Sequence, residues 1–141
     1  MSRDHRKLRV FADAHQLAVA IYKHTKTFPR DEVFGLRAQL RRAAVSIPTN
    51  IVEGSARRAT REYLNFLNIA RASAGEVAYI VDLCFELELL PKESHATLSR
   101  NCSSLVPQLE ALVQQVSLLL AEERKRKRVK QQQTKGPKPK A

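Results

Sequence analysis

Tryptophan is absent from this 141-residue chain, and three tyrosines and five phenylalanines keep the aromatic share at 6%. Those rings are not interleaved with the basic residues, so recognition of single strands by base stacking has little to build on. Glycine occurs only at Gly35, Gly54, Gly75 and Gly136, never in the clustered spacing of a phosphate-cradling loop. A nucleophile elbow and an H-E-x-x-H helix are missing as well. The two cysteines, Cys84 and Cys102, lie in apolar helical patterns without the paired spacing of a zinc or redox motif, and read as reduced core thiols. No N-terminal run is apolar and long enough for a signal peptide or a membrane span, since Asp13, His15 and Gln16 interrupt what starts at Val10. A cytoplasmic protein with no membrane partner follows.

Metal ligation finds no pattern either. A di-iron centre in a helical bundle needs Glu-x-x-His pairs, whereas Asp13-Ala14-His15 and Glu93-Ser94-His95 have a spacing of two that splits the side chains around a helix. With His5 and His24 also scattered, neither catalytic residues nor metal ligands nor a cofactor are expected.

Acidic residues are the other shortage: 14 Asp and Glu face 25 Lys and Arg, a net charge of +11. Residues 124–141 hold nine of the bases and no acid, which leaves 16 bases against 14 acids elsewhere. Within that near-neutral remainder, Gly35 to Arg61 carries Arg37, Arg41, Arg42, Arg57, Arg58 and Arg61 against Glu53, while Ala72 to Glu123 carries two bases against eight acids. The molecule is expected to be electrically polarised.

Apolar periodicity organises the chain into one domain. Val10, Phe11, Ala14, Leu17, Ala18, Ile21 and Tyr22 mark a first helix, ended by Phe28-Pro29. A second is expected from about Glu32, after a cap by Asp31. A third, capped by Thr60, runs on the stripe Tyr63, Phe66, Leu67, Ala70, Ala74, Val77, Ile80, Val81 and Cys84 to Leu90, and Gly75 within it suggests that another backbone passes closely. A fourth follows Leu98, Cys102, Leu105, Leu109, Leu112, Val113, Val116 and Leu119. Nothing alternates at period two, and the connections are short. The fold class is therefore all-α: an up-and-down antiparallel four-helix bundle over residues 10–123, kinked in helices two and four at Pro48 and Pro107. A flexible basic arm, residues 1–9, precedes it, and a basic, largely disordered tail, residues 124–141, follows.

The most unusual stretch is Leu40 to Arg58, an apolar helix interrupted by Pro48, ended at Gly54-Ser55 and flanked by arginines. Its polar stripe contains Asn50, Glu53 and Arg57. Glu53 has two candidate partners: Arg71 on the third helix, fixing helix register, or Arg57 at i, i+4 on its own. The arginines at 37, 41, 42, 57, 58 and 61 suit bidentate phosphate contacts, which makes RNA or DNA the natural ligand. The competing reading is a solvated end, or a face that pairs with acids of a neighbouring subunit. Arg124, Lys125, Arg126, Lys127 and Arg128 either add a mobile phosphate-binding arm or solubilise the C-terminus.

Phe11-Ala12-Asp13-Ala14-His15-Gln16-Leu17-Ala18, then Phe28-Pro29, then Gln39-Leu40-Arg41-Arg42-Ala43-Ala44-Val45-Ser46-Ile47-Pro48 with Asn50-Ile51-Val52-Glu53-Gly54, then Glu62-Tyr63-Leu64 with Ala70-Arg71, occur in a distinctive order. Over approximately residues 8–92 the chain resembles the four-helix-bundle proteins encoded within intervening sequences of bacterial 23S rRNA genes, which are related to accessory proteins of diversity-generating retroelements. Pro48, Asn50, Glu53, Gly54 and Arg71 read as structural residues, and the resemblance implies a ring-like homopentamer and a positive surface that engages RNA or DNA. It implies no enzymatic activity. By the retroelement relatives it also implies an alternative, an oligomeric scaffold or accessory subunit for a protein partner such as a reverse transcriptase.

Overall fold

The computed structural model describes residues 3–136; the parts of the expected arm and tail at residues 1–2 and 137–141 lie outside them. Four α-helices carry the chain: α1 Arg9–His24, α2 Leu36–Ser55, α3 Thr60–Glu86 and α4 Lys92–Thr134. There is no strand among the described residues. α1 packs on α2, α2 on α3, α3 on α4 and α4 on α1, and among the described residues no backbone positions of the diagonal pairs come within 8 Å of each other. Contacts at the two ends give the directions. The end of α1 meets the starts of α2 and α4, through Thr25 with Arg41 and His24 with Ser94. The start of α3 meets the end of α2 and the later part of α4, through Tyr63 against Gly54 and Thr60 with Glu123. Adjacent helices therefore run in opposite senses.

The apolar stripes read from the sequence meet in one core, in which Leu17, Ile21, Leu40, Ile47, Ile51, Leu67, Leu98, Leu105 and Leu109 are fully buried. Helical spacing puts each set on one face, and the short connections make consecutive helices neighbours. α2 runs unbroken through Pro48 and α4 through Pro107. An 18-residue window of α4 reaches a mean hydropathy of 1.2, long and apolar enough by length and composition to cross a membrane, and 28% of it is buried within the protein. The same helix supplies Leu105, Leu109 and Val116 to the core.

Several boundaries differ from the sequence reading. α2 begins at Leu36, not near Glu32, after a 3-10 turn at Arg30–Glu32. Gly35 is its N-cap, and Glu32 rather than Asp31 supplies the side-chain acceptor, its carboxylate taking the Leu36 backbone N–H at 3.0 Å. Thr60 is the first residue of α3, not its N-cap, because its hydroxyl is engaged by other segments. α3 stops at Glu86, short of Leu90. Glu88 there adopts φ 62°, and the N–H groups of Leu89 and Glu88 return to the carbonyls of Cys84 and Phe85 at 2.8 and 3.0 Å, a Schellman ending.

The close helix approach is also elsewhere than expected. A Cβ on Gly75 would meet nothing within 4 Å, whereas one on Gly54 would lie 2.9 Å from the Phe66 Cβ and 3.0 Å from the Tyr63 ring. Gly54 lets α2 and α3 touch.

Regular structure extends into the described parts of both flanks. The arm contains a 3-10 turn at His5–Lys7, α1 begins at Arg9, and Arg3 is bonded to the α2–α3 connection. The expected disorder after residue 124 is replaced by helix as far as Thr134. The physical reason is propensity: Arg, Lys, Gln and Glu are good helix formers, and no glycine or proline intervenes before Gly136.

Candidate nucleic-acid interface

The α2–α3 connection is short and wholly built from small and basic residues, Ala56-Arg57-Arg58-Ala59. Its first amides fold back on α2, Ala56 N–H to the Val52 carbonyl and Arg57 N–H to that of Gly54, which projects Arg57 and Arg58 into solvent. Arg57 reaches Glu53 at 3.5 Å and lies 5.0 Å over the Phe66 ring. Arg3 closes the connection from the N-terminal side. Its guanidinium donates to the carbonyls of Arg57 and Arg58, the latter at 2.8 Å, and to the Thr60 hydroxyl at 2.9 Å. The Thr60 hydroxyl in turn donates a hydrogen bond to the Glu123 carboxylate of α4 at 2.8 Å.

These contacts frame a cavity of about 380 Å³ lined by Arg3, Arg58, Ala59, Thr60, Arg61, Leu120, Glu123, Arg124 and Lys127. Five cations from three separate segments face one carboxylate. No aromatic ring lines the space, so it suits a compact polyanion and not a stacked base. Guanidinium groups offer paired N–H donors matched to phosphate oxygens, and Lys127 adds a point charge.

Of the basic residues singled out from the sequence, Arg58, Arg61, Arg124 and Lys127 line this cavity, with Arg57 beside it in the same connection. Lys125, Arg126 and Arg128 are exposed on α4 and do not line it. Arg37, Arg41 and Arg42 do not join them. Arg41 and Arg57 are separated by about 24 Å of helical rise along α2. Arg41 is committed within the fold: it donates to the Thr25 hydroxyl at 2.9 Å and the Tyr22 carbonyl at 3.2 Å, and covers the Tyr22 ring at 4.3 Å. Burial, with Arg37 nearby, lowers its pKa. The six-arginine patch thus divides between the two ends of the bundle. Arg3, which completes the cavity, was missed because no periodicity in the arm signals that it docks.

The polar stripe of α2 is partnered differently from the first pairing considered. Glu53 pairs with Arg57, and Arg71 pairs with Glu110 of α4 at 3.3 Å. Contacts of Ser46 with Ser73 and Gly54 with Phe66 set the register, which places Arg71 about five residues, or roughly 7.5 Å, beyond the level of Glu53. The polar links between α2 and α3 are the Ser46 and Ser73 hydroxyls, 2.8 Å apart, and Gln39 with Glu76 at 3.4 Å; within α2 the Asn50 amide donates to the Ser46 hydroxyl at 2.9 Å.

Other polar clusters have structural partners. His95 lies 2.9 Å from Asp82 and stacks on Phe85 at 4.2 Å, and His24 meets Ser94 at 2.8 Å. Among the described residues no group of three or more His, Cys, Asp or Glu side chains is placed to hold a metal ion. Cys84 and Cys102 are free, buried thiols.

Comparison with known proteins places this geometry in context. Residues 6–111 match the family described as 23S rRNA-intervening sequence protein. No protein of curated function matches the chain. Among solved structures, a protein of unknown function from the S23 ribosomal protein family of Bacteroides thetaiotaomicron VPI-5482 is similar, with a TM-score of 0.68 and 24% identity over 74% of this chain and 95% of that one. At that identity the likeness speaks to the fold.

Proposed function

Because the chain belongs to the 23S rRNA-intervening sequence protein family, and its basic residues gather at one end of the bundle, we propose that it is a non-enzymatic protein that binds RNA or DNA through phosphate contacts. The observation that carries this reading is the convergence of Arg3, Arg58, Arg61, Arg124 and Lys127 on one cavity. Like charges held together are stabilised by an anion and gain counterion-release entropy when that anion is a nucleic acid backbone. The cytoplasm is the compartment that fits this role.

Binding to labelled RNA and duplex DNA as a function of salt tests it. The expected result is a steep loss of affinity with salt, and a slope shallower by about two to three phosphate contacts in the combined Arg57→Ala, Arg58→Ala, Arg61→Ala variant. Absence of binding at low ionic strength, or an unchanged slope in the variant, sinks the proposal.

A second reading, an oligomeric scaffold or accessory subunit for a protein partner, is favoured by a groove of about 480 Å³ between α1 and α2, lined by Val19, Tyr22, Val45 and Pro48 with Lys23 and Lys26 at its rim. A solvent-exposed apolar groove suits a protein contact. Self-association, as the homopentamer that the resemblance implies, is tested by light scattering of the full chain and a Val45→Asp variant: a monomer in both rejects it.

A further inference from the structure

The helix that leaves the bundle beside the basic cavity has a shape and charge distribution that narrow the ligand further. We propose that the α4 extension, Arg124 to Thr134, is a groove-inserted helix, and that the ligand of this end of the protein is double-stranded DNA. This rests on the phosphate-binding reading above and specifies its target.

Glu123 is the last residue of α4 tied to another helix, and every residue from Arg124 to Thr134 is exposed. The extension therefore projects about 16 Å beyond the point where α3 begins. No core contact holds it in place, so the bundle does not require it. Arg124, Lys125, Arg126, Lys127, Arg128 and Lys130 follow one another at helical steps of about 100°, which puts positive charge on all sides of the rod. Val129 is the single apolar residue between Glu122 and Thr134, so the segment lacks the apolar face with which a helix enters a membrane surface.

A rod charged all round is matched by a groove with phosphates on both walls. A helix with its side chains measures about 10–12 Å across, and the major groove of B-form DNA is about 12 Å wide. The major groove of A-form RNA is too deep and narrow for side chains to read. Gln131, Gln132 and Gln133 occupy the tip, and a glutamine amide is suited to the N6 and N7 edge of adenine. At the base of the rod, the Arg58 and Arg61 guanidinium groups stand where a flanking phosphate backbone would pass.

The test compares the full chain with a Val129→Pro variant, which keeps every charge but removes a helical hydrogen bond in a segment that packs on nothing. Fluorescence anisotropy is read at one salt concentration with duplex DNA, duplex RNA and single-stranded DNA of the same sequence, and sedimentation with phosphatidylserine vesicles. The expected result is duplex DNA bound about tenfold or more tightly than duplex RNA, a loss of about tenfold for duplex DNA alone in the variant, and an unchanged melting temperature. Equal affinity for the two duplexes, no effect of the proline, or capture by vesicles in place of DNA overturns the proposal and leaves phosphate binding by the cavity standing. Failure of the full chain to bind any nucleic acid overturns both.

Discussion

The Thr60 hydroxyl donates to the Glu123 carboxylate across 2.8 Å, pinning the first turn of α3 to the point at which α4 leaves the bundle. Glu123 is also the only acid lining the cationic cavity. Its structural role and its electrostatic role can be separated, because glutamine retains an oxygen that accepts from Thr60 while losing the charge. Glu123→Gln is expected to tighten nucleic acid binding about two- to fivefold at low salt, since exposed charge pairs are worth up to ~1 kcal/mol, with little change in stability. Titration of one oligonucleotide against both proteins decides it; equal or weaker binding by the variant would remove the cavity from the interface.

Two glycines in helices should respond to alanine with opposite signs. At Gly54 the new methyl would press on Phe66 and Tyr63 across the α2–α3 contact, and overpacking of this kind costs about 1–3 kcal/mol. At Gly75 the methyl meets open space on an exposed helix surface, where alanine is favoured by about 0.5–1 kcal/mol. Urea denaturation of Gly54→Ala and Gly75→Ala gives both signs. A stabilised Gly54→Ala would mean that the helices are further apart than described.

That contrast marks the limit of what single-sequence reasoning reached. The stripes that bury Leu17, Leu40, Leu67 and Leu105 were legible because a period of 3.6 is a property of one helix alone. Partnership between helices is not. Whether Glu53 or Glu110 meets Arg71, and whether Gly54 or Gly75 permits close approach, depends on axial register, which no local pattern encodes. The candidate site shows the same division. Arg57, Arg58 and Arg61 were identified as a group because they are near in sequence, but their union with Arg124 and Lys127 follows from α3 and α4 running antiparallel, and the docking of Arg3 from a turn too short to show periodicity.

Arg41 has the composition of a ligand-binding residue and the contacts of a structural one. Its guanidinium satisfies the Tyr22 carbonyl near the end of α1 and the buried Thr25 hydroxyl, work that a helix C-terminus otherwise leaves to solvent. Arg41→Ala is expected to lower folding stability by about 1–2 kcal/mol and to leave nucleic acid affinity within twofold. Loss of affinity comparable to that of Arg58→Ala, at unchanged stability, would instead return Arg41 to the binding surface.

The two thiols link stability to alkaline pH. Burial is the main reason that Cys84 and Cys102 are each pushed up to about 11 from 9.0, with Glu32 adding to the effect on Cys84 and Asp82 to that on Cys102. Between these values an unfolded chain releases thiol protons that the folded chain keeps, so ionisation favours the unfolded state. The stability contributed by the protonated thiols is complete below about pH 9 and is lost as pH rises through about 11, by up to ~3 kcal/mol per thiol on the linkage relation. Denaturation midpoints across this range should fall less steeply for Cys102→Ala than for the parent. At pH 8 a thiol reagent should label neither cysteine in the folded protein and both in denaturant, since reactivity needs the exposed thiolate. Rapid labelling of the native chain would show that the α3–α4 core opens far more readily than its packing implies.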